Sequence, residues 1–151
     1  MIPKFRAWDK NQQIMRGVRG LFWTKNNLVA HCSPMGNKFD KFFTTILNDG
    51  EHHLMQSTGL KDKNGVEIFE GDCFIKIFRT IETPTGKNGI EKSVGIVKFH
   101  EGAFQVHIDG WGYELLSEVA QPHIYGANDD YWENVVIGNI YENPELLEVE
   151  G

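Results

Sequence analysis

Two-residue alternation broken by glycine-bearing turns dominates the chain after residue 50, and it leaves little room for a fold that is not mostly β. In CFIKIFRTI, residues 73–81, Phe74, Lys76 and Phe78 alternate with Cys73, Ile75 and Ile77, the pattern of a long strand with one wetter face. SVGIVKF and AFQVHID bracket His100-Glu101-Gly102 as a hairpin. Asn64-Gly65 is a strong short-range turn signal, and Glu70-Gly71-Asp72 reads as a second turn into the long strand. ETPTGKNGIEK, residues 82–92, reads as a polar loop, and GWGYELLSEVAQPHIYGANDD as an irregular acidic stretch with one helical turn. ENVVIGNIY is a final strand, and Asn143-Pro144 starts a short helical turn at PELL. Four or five short strands over roughly 80 residues fit a small closed barrel, which removes exposed edges.

The N-terminal part reads as antiparallel β with one helix. KFRAW places Phe5 and Ala7 on one face and Lys4, Arg6 and Trp8 on a wetter one. A short strand around Ile14 to Val18 follows the turn at 9–13, and GLFW and LVAHC flank the polar TKNN as a hairpin. Phe39, Phe42, Phe43, Ile46 and Leu47 recur at helical spacing, so a helix is expected over 37–48, with Asn37 as N-cap and Gly50 past its end. The β-branched Thr44, Thr45 and Ile46 make a strand the alternative. The expected division is a β-rich part at 1–57, a barrel at 58–142 and a tail at 143–151.

Charge is unevenly spread. Residues 1–50 hold eight Lys or Arg against three acids, 51–100 hold seven of each, and 101–151 hold eleven acids and no Lys or Arg. Such polarity suits an anionic partner for the basic end, or the meeting of the two ends within or between subunits. No apolar run approaches the ~18 residues of a membrane span, and MIPKFRAWDK lacks the apolar core of a secretory signal. Cys32 and Cys73 lack metal or redox spacing and read as small buried hydrophobes in a reducing cytoplasm.

Three blocks carry a resemblance: KFRAWD at 4–9, LMQSTGLKDKNGVEIFEGD at 54–72 and VIGNIYENPELL at 136–147. Together they resemble the YopX family of phage and prophage proteins, over nearly the whole chain. Ser57 and Val66 depart from the family's usual aromatic and charged residues at those positions. The resemblance implies a β-rich N-terminal part and a C-terminal SH3-like barrel, with no assigned catalytic residues and no established function.

The residues themselves point away from catalysis. DKNGVEIFEGD places Val66 where a calcium loop needs an oxygen ligand, and Gly65 comes too early to be that loop's glycine. Asp62, Glu67, Glu70 and Asp72 are better explained as turn acids than as paired catalytic carboxylates. Adjacent His52 and His53 point to opposite faces of a strand and cannot share an ion; the same holds for His31 and Cys32, and His100 and His107 fit no zinc spacing. There is no phosphate-binding, dinucleotide or nucleophile-elbow motif. No cofactor, metal or catalytic residue is therefore expected. The expected function is a non-enzymatic interaction protein of a phage or prophage in the bacterial cytoplasm, acting on a host or phage protein or on copies of itself. Interface candidates are Lys4, Arg6, Trp8, Arg16, Arg19, Trp23, Tyr131 and Trp132. The rival reading is a nucleic-acid accessory protein, in which the N-terminal Arg and Trp residues grip a single strand; the overall pI of about 5.5 opposes it.

Overall fold

The fold is that of a computed structural model, which describes residues 3–34, 43–47, 50–82, 86–120 and 130–148. It is mostly β, in two antiparallel sheets. The chain divides into two compact units, Met1–Ser57 and Thr58–Gly151.

The first unit contains β1 (Phe5–Asp9), β2 (Ile14–Trp23), β3 (Leu28–Pro34), β4 (Phe43–Ile46) and the first part of β5 (His52–Lys61). The sheet order is β4-β3-β2-β1-β5, with β6 (Glu67–Phe69) next beside β5. The Thr24 N–H donates to the Asn27 carbonyl at 2.9 Å and closes the β2–β3 hairpin. β1 lies between β2 and β5, pairing Ala7 with Arg16 and with Leu54. That central position removes the wet face expected for β1: Arg6 and Trp8 are buried, as are Ala7 and Asp9. Ala7, Ala30, Cys32 and Leu47 form the apolar core of this unit. The helix expected over 37–48 is not formed at its end, because 43–46 is strand β4, paired with β3 from Val29↔Ile46 to Cys32↔Phe43. The β-branched run there favours the pleated conformation. Residues 35–42 lie outside the described residues.

The second unit holds the last part of β5, β6, β7 (Asp72–Glu82), β8 (Lys87–His100), β9 (Ala103–Ile108), β10 (Gly112–Leu115), the single helical turn α1 (Leu116–Val119), β11 (Tyr131–Asn139) and a 3₁₀ turn at Pro144–Leu147. Its five-stranded sheet has the order β10-β9-β8-β7-β11. β10 and β11 end that order and are not paired with each other among the described residues, so strand pairing does not confirm the closed barrel that the sequence suggested. Glu101 and Gly102 both take positive φ (50° and 84°), forming the two-residue hairpin between β8 and β9. Residues 87–92, expected in a loop, extend β8 because they pair with β7 from Ile77↔Lys92 to Glu82↔Lys87. Ile68, Phe74, Val97, Val106, Leu116 and Trp132 are among the core residues. Residues of both faces of β7 are buried, Phe74 and Lys76 on one and Cys73 and Ile77 on the other, so the wetter face that the alternation suggested is not seen there.

Candidate interaction site around Trp111

The buried polar groups explain the three recognisable sequence blocks. In the first block, Asp9 Oδ1 accepts the Asn11 and Gln12 backbone N–H groups, both at 3.0 Å. Its Oδ2 accepts Arg16 Nε and Nη2, at 3.2 and 3.0 Å, and lies 3.6 Å from His52 Nε2. Burial pushes the Asp9 carboxyl up, but the Gln12 N–H, Arg16 and His52 outweigh that and hold it below the usual aspartate range. One carboxylate thus fixes the β1–β2 turn and neutralises a buried arginine.

In the second block, Asp62 Oδ1 accepts the N–H groups of Asn64 (2.8 Å) and Val66 (3.0 Å), shaping the Asn64-Gly65 turn. Asp62 Oδ2 accepts the Val136 N–H at 2.9 Å, which ties this turn to the third block. Asp72 Oδ2 accepts the Phe69 N–H at 2.8 Å, and the Ile140 N–H donates to the Gly71 carbonyl at 3.0 Å. In the third block, Asn139 Oδ1 accepts the Tyr141 and Glu142 N–H groups, at 3.0 and 2.8 Å. These polar residues hold turns together.

The expected interface residues do not form one exposed stripe. Arg6, Trp8 and Arg16 are buried, whereas Lys4, Arg19 and Trp23 are exposed. In the second unit, Tyr131 is half-buried with the Arg79 guanidinium 5.7 Å from its ring centre, and Trp132 is buried.

Trp132 leads to an arrangement that the sequence did not single out. Its indole lies across Gly95, where a Cβ would sit 2.6 Å from Cη2. The Trp132 Nε1–H donates to Glu114 Oε2, and the Lys76 ammonium donates to Glu114 Oε1. Lys76 is buried, with its ammonium 5.3 Å from the ring centre of Phe78, 5.4 Å from Trp132 and 6.0 Å from Trp111. Three aromatic faces and a carboxylate suit an ammonium group and offset part of its lost hydration. Phe78 meets Trp111 edge-on, at 4.9 Å and 68°. The Trp111 N–H donates to the Ile108 carbonyl, fixing the turn that carries it. Trp111 nevertheless remains 63% exposed. The result is a large indole held in place on one side and open on the other.

The opposite sheet face carries a second feature. Tyr113 stacks on His100 (4.0 Å, 7°) and on His107 (4.3 Å, 28°). A cleft of about 770 Å³ lies nearby, and its lining of Lys92, Lys98, His107, Asp109, Glu145 and Leu147 mixes both charge signs. Among the described residues no three His, Cys, Asp or Glu side chains are placed to hold a metal. No helix among them is long and apolar enough to cross a membrane.

Only Gly110-Trp111-Gly112 hinted at the site: an indole between two glycines sits in a turn rather than a core. Lys76 gave no signal, because alternation alone does not say which face is buried.

A family model described as YopX protein matches residues 4–148. Among solved structures, protein EF1440 from Enterococcus faecalis is similar at 31% identity and a TM-score of 0.59, covering 98% of this chain and 99% of that one. Protein yopX from Bacillus subtilis is similar in fold at 20% identity and a TM-score of 0.54, covering 98% of each chain. No curated protein matches the chain.

Proposed function

The chain belongs to the YopX family, and on that premise we propose that it is a non-enzymatic interaction protein of a phage or prophage. It acts in the bacterial cytoplasm and recognises a host or phage protein through the surface around Trp111. The observation that carries this reading is the exposure of an indole that Phe78 and Lys76 already hold in place. An ordered, exposed Trp loses little side-chain freedom on binding, and buried Trp residues are frequent anchors of protein interfaces. The roles of Asp9, Asp62 and Asp72 support the non-enzymatic part, because their oxygens accept backbone or arginine donors within the fold. The nucleic-acid reading has weaker support, since Arg6, Trp8 and Arg16 are withdrawn from any ligand by burial.

The test is capture from phage-infected lysate, with the intact chain and its Trp111→Ala variant as parallel baits. A host or phage protein retained by the first and lost by the second is the expected result. Identical captures by both would overturn the reading. Self-association remains a second reading, favoured by the opposite charge of the two ends. Sedimentation at low salt and near 1 M salt checks it, and a monomer under both conditions would end it.

A further inference from the structure

The two outer strands of the second unit's sheet are treated differently. In β11 the register jumps from Glu133↔Ile75 to Gly138↔Cys73, so residues 134–137 bulge away from β7. The Asp62 turn occupies that bulge: the Val136 N–H donates to Asp62 at 2.9 Å, and the Lys63 N–H donates to the Asn134 carbonyl at 3.1 Å. Bulges and loop cover are how natural sheets blunt an edge. β10 has neither device among the described residues. It pairs with β9 alone, from Gly112↔Ile108 to Leu115↔Gln105, and contains no Pro or Lys.

The flanks of β10 are apolar, and the exposed charged side chains next to it in the chain, Asp109 and Glu118, are both acidic. Trp111 is 63% exposed, Tyr113 41% and Leu115 44%. Glu114 is already engaged by Lys76 and Trp132, which leaves Asp109 and Glu118 as the exposed carboxylates beside the strand, and residues 101–151 contain no Lys or Arg. A bare apolar edge invites strand addition, in which backbone hydrogen bonds supply affinity and alternate side chains supply specificity.

Resting on the reading of the Trp111 surface, we propose that β10 accepts an extended, Arg/Lys-rich segment of a partner protein as an added strand. Alternate side chains of that segment meet Trp111 and Glu114 on one sheet face, and Tyr113 and Leu115 on the other. The exposed carboxylates of Asp109 and Glu118 select the basic partner. A second copy docking β10 against β10 would bring like charges together, which disfavours that occupant.

The probe is an alternating Arg-Val decapeptide, with an alternating Glu-Val decapeptide and an Arg-Val version N-methylated at every second residue as controls. Binding to the full chain is read by calorimetry, and protection of the Gly112–Leu115 amides by hydrogen exchange. The Arg-Val peptide should bind and protect those amides. N-methylation should abolish binding, the Glu-Val peptide should fail, and Trp111→Ala should weaken binding at least tenfold. Equal binding of the N-methylated peptide would overturn strand addition while sparing the Trp111 surface. Binding indifferent to Trp111→Ala, with the amides still protected, would overturn the Trp111 reading and leave the edge. Binding of the Glu-Val peptide, or of none, would overturn the basic-segment proposal. If none binds and light scattering shows a dimer, a second copy is the occupant instead.

Discussion

The Asp62 carboxylate accepts the Val136 backbone N–H at 2.9 Å while also accepting those of Asn64 and Val66. Two residues 74 apart, in different sequence blocks, are thereby joined through one side chain. Burial pushes the Asp62 carboxyl up, but the three N–H donors and nearby Lys63 outweigh it and hold it below the ordinary aspartate range. A lowered folded-state pKa means stability that is present above the unfolded value and lost as pH falls through the folded one. Asp62→Ala should cost at least about 2 kcal/mol at pH 7, because buried donors lose their acceptor. Urea titrations should show the gap between variant and native protein closing below about pH 4. An unchanged gap at pH 2.5 would contradict the role given to this carboxylate.

Glycines set two other positions. Gly71 holds φ at 87°, in the turn where the Gly71 N–H donates to the Val97 carbonyl at 2.8 Å. Gly71→Val should destabilise by about 1 kcal/mol or more. Gly95→Ala should cost about 1–3 kcal/mol for a different reason: its Cβ would meet Val106 Cγ1 at 2.5 Å and the Trp132 ring at 2.6 Å. Thermal melts check both, and only Gly95→Ala should also shift the tryptophan emission spectrum.

The Lys76–Glu114 pair predicts an asymmetry. Glu114→Gln leaves a buried ammonium without its anion and should cost about 3 kcal/mol. Lys76→Met leaves a carboxylate whose side chain is 36% exposed and able to hydrate, so its cost should be clearly smaller. Chemical denaturation of the two variants decides the matter, and equal losses would mean that the ion pair is not what holds the cluster.

Neither cysteine should react in the folded protein. Cys32 and Cys73 are both fully buried, and burial pushes the Cys32 thiol up. A thiol reagent should report no fast thiol before denaturation and two after it.

The β content, most turns and the 3₁₀ turn at Pro144–Leu147 were legible because alternation, Asn-Gly and Asn-Pro are local signals. Burial was less legible. The KFRAW strand looked half wet because its pattern cannot reveal that β1 is flanked by β2 and β5. Phe43 to Leu47 fitted a helix by spacing, yet pairing with β3 made 43–46 a strand. Lys76 and Glu114 are 38 residues apart and meet only through the pairing of β7, β8, β9 and β10, so their site had no sequence signature.

The central claim is that Trp111 is exposed for recognition rather than for stability, and a melting comparison tests it most directly. Trp111→Ala should lower stability by less than about 1 kcal/mol, the scale of one aromatic edge contact. Trp132→Ala, which removes a buried indole from the same cluster, should cost about 3–5 kcal/mol. A Trp111→Ala loss as large as that of Trp132→Ala would show Trp111 to be part of the core and contradict the account.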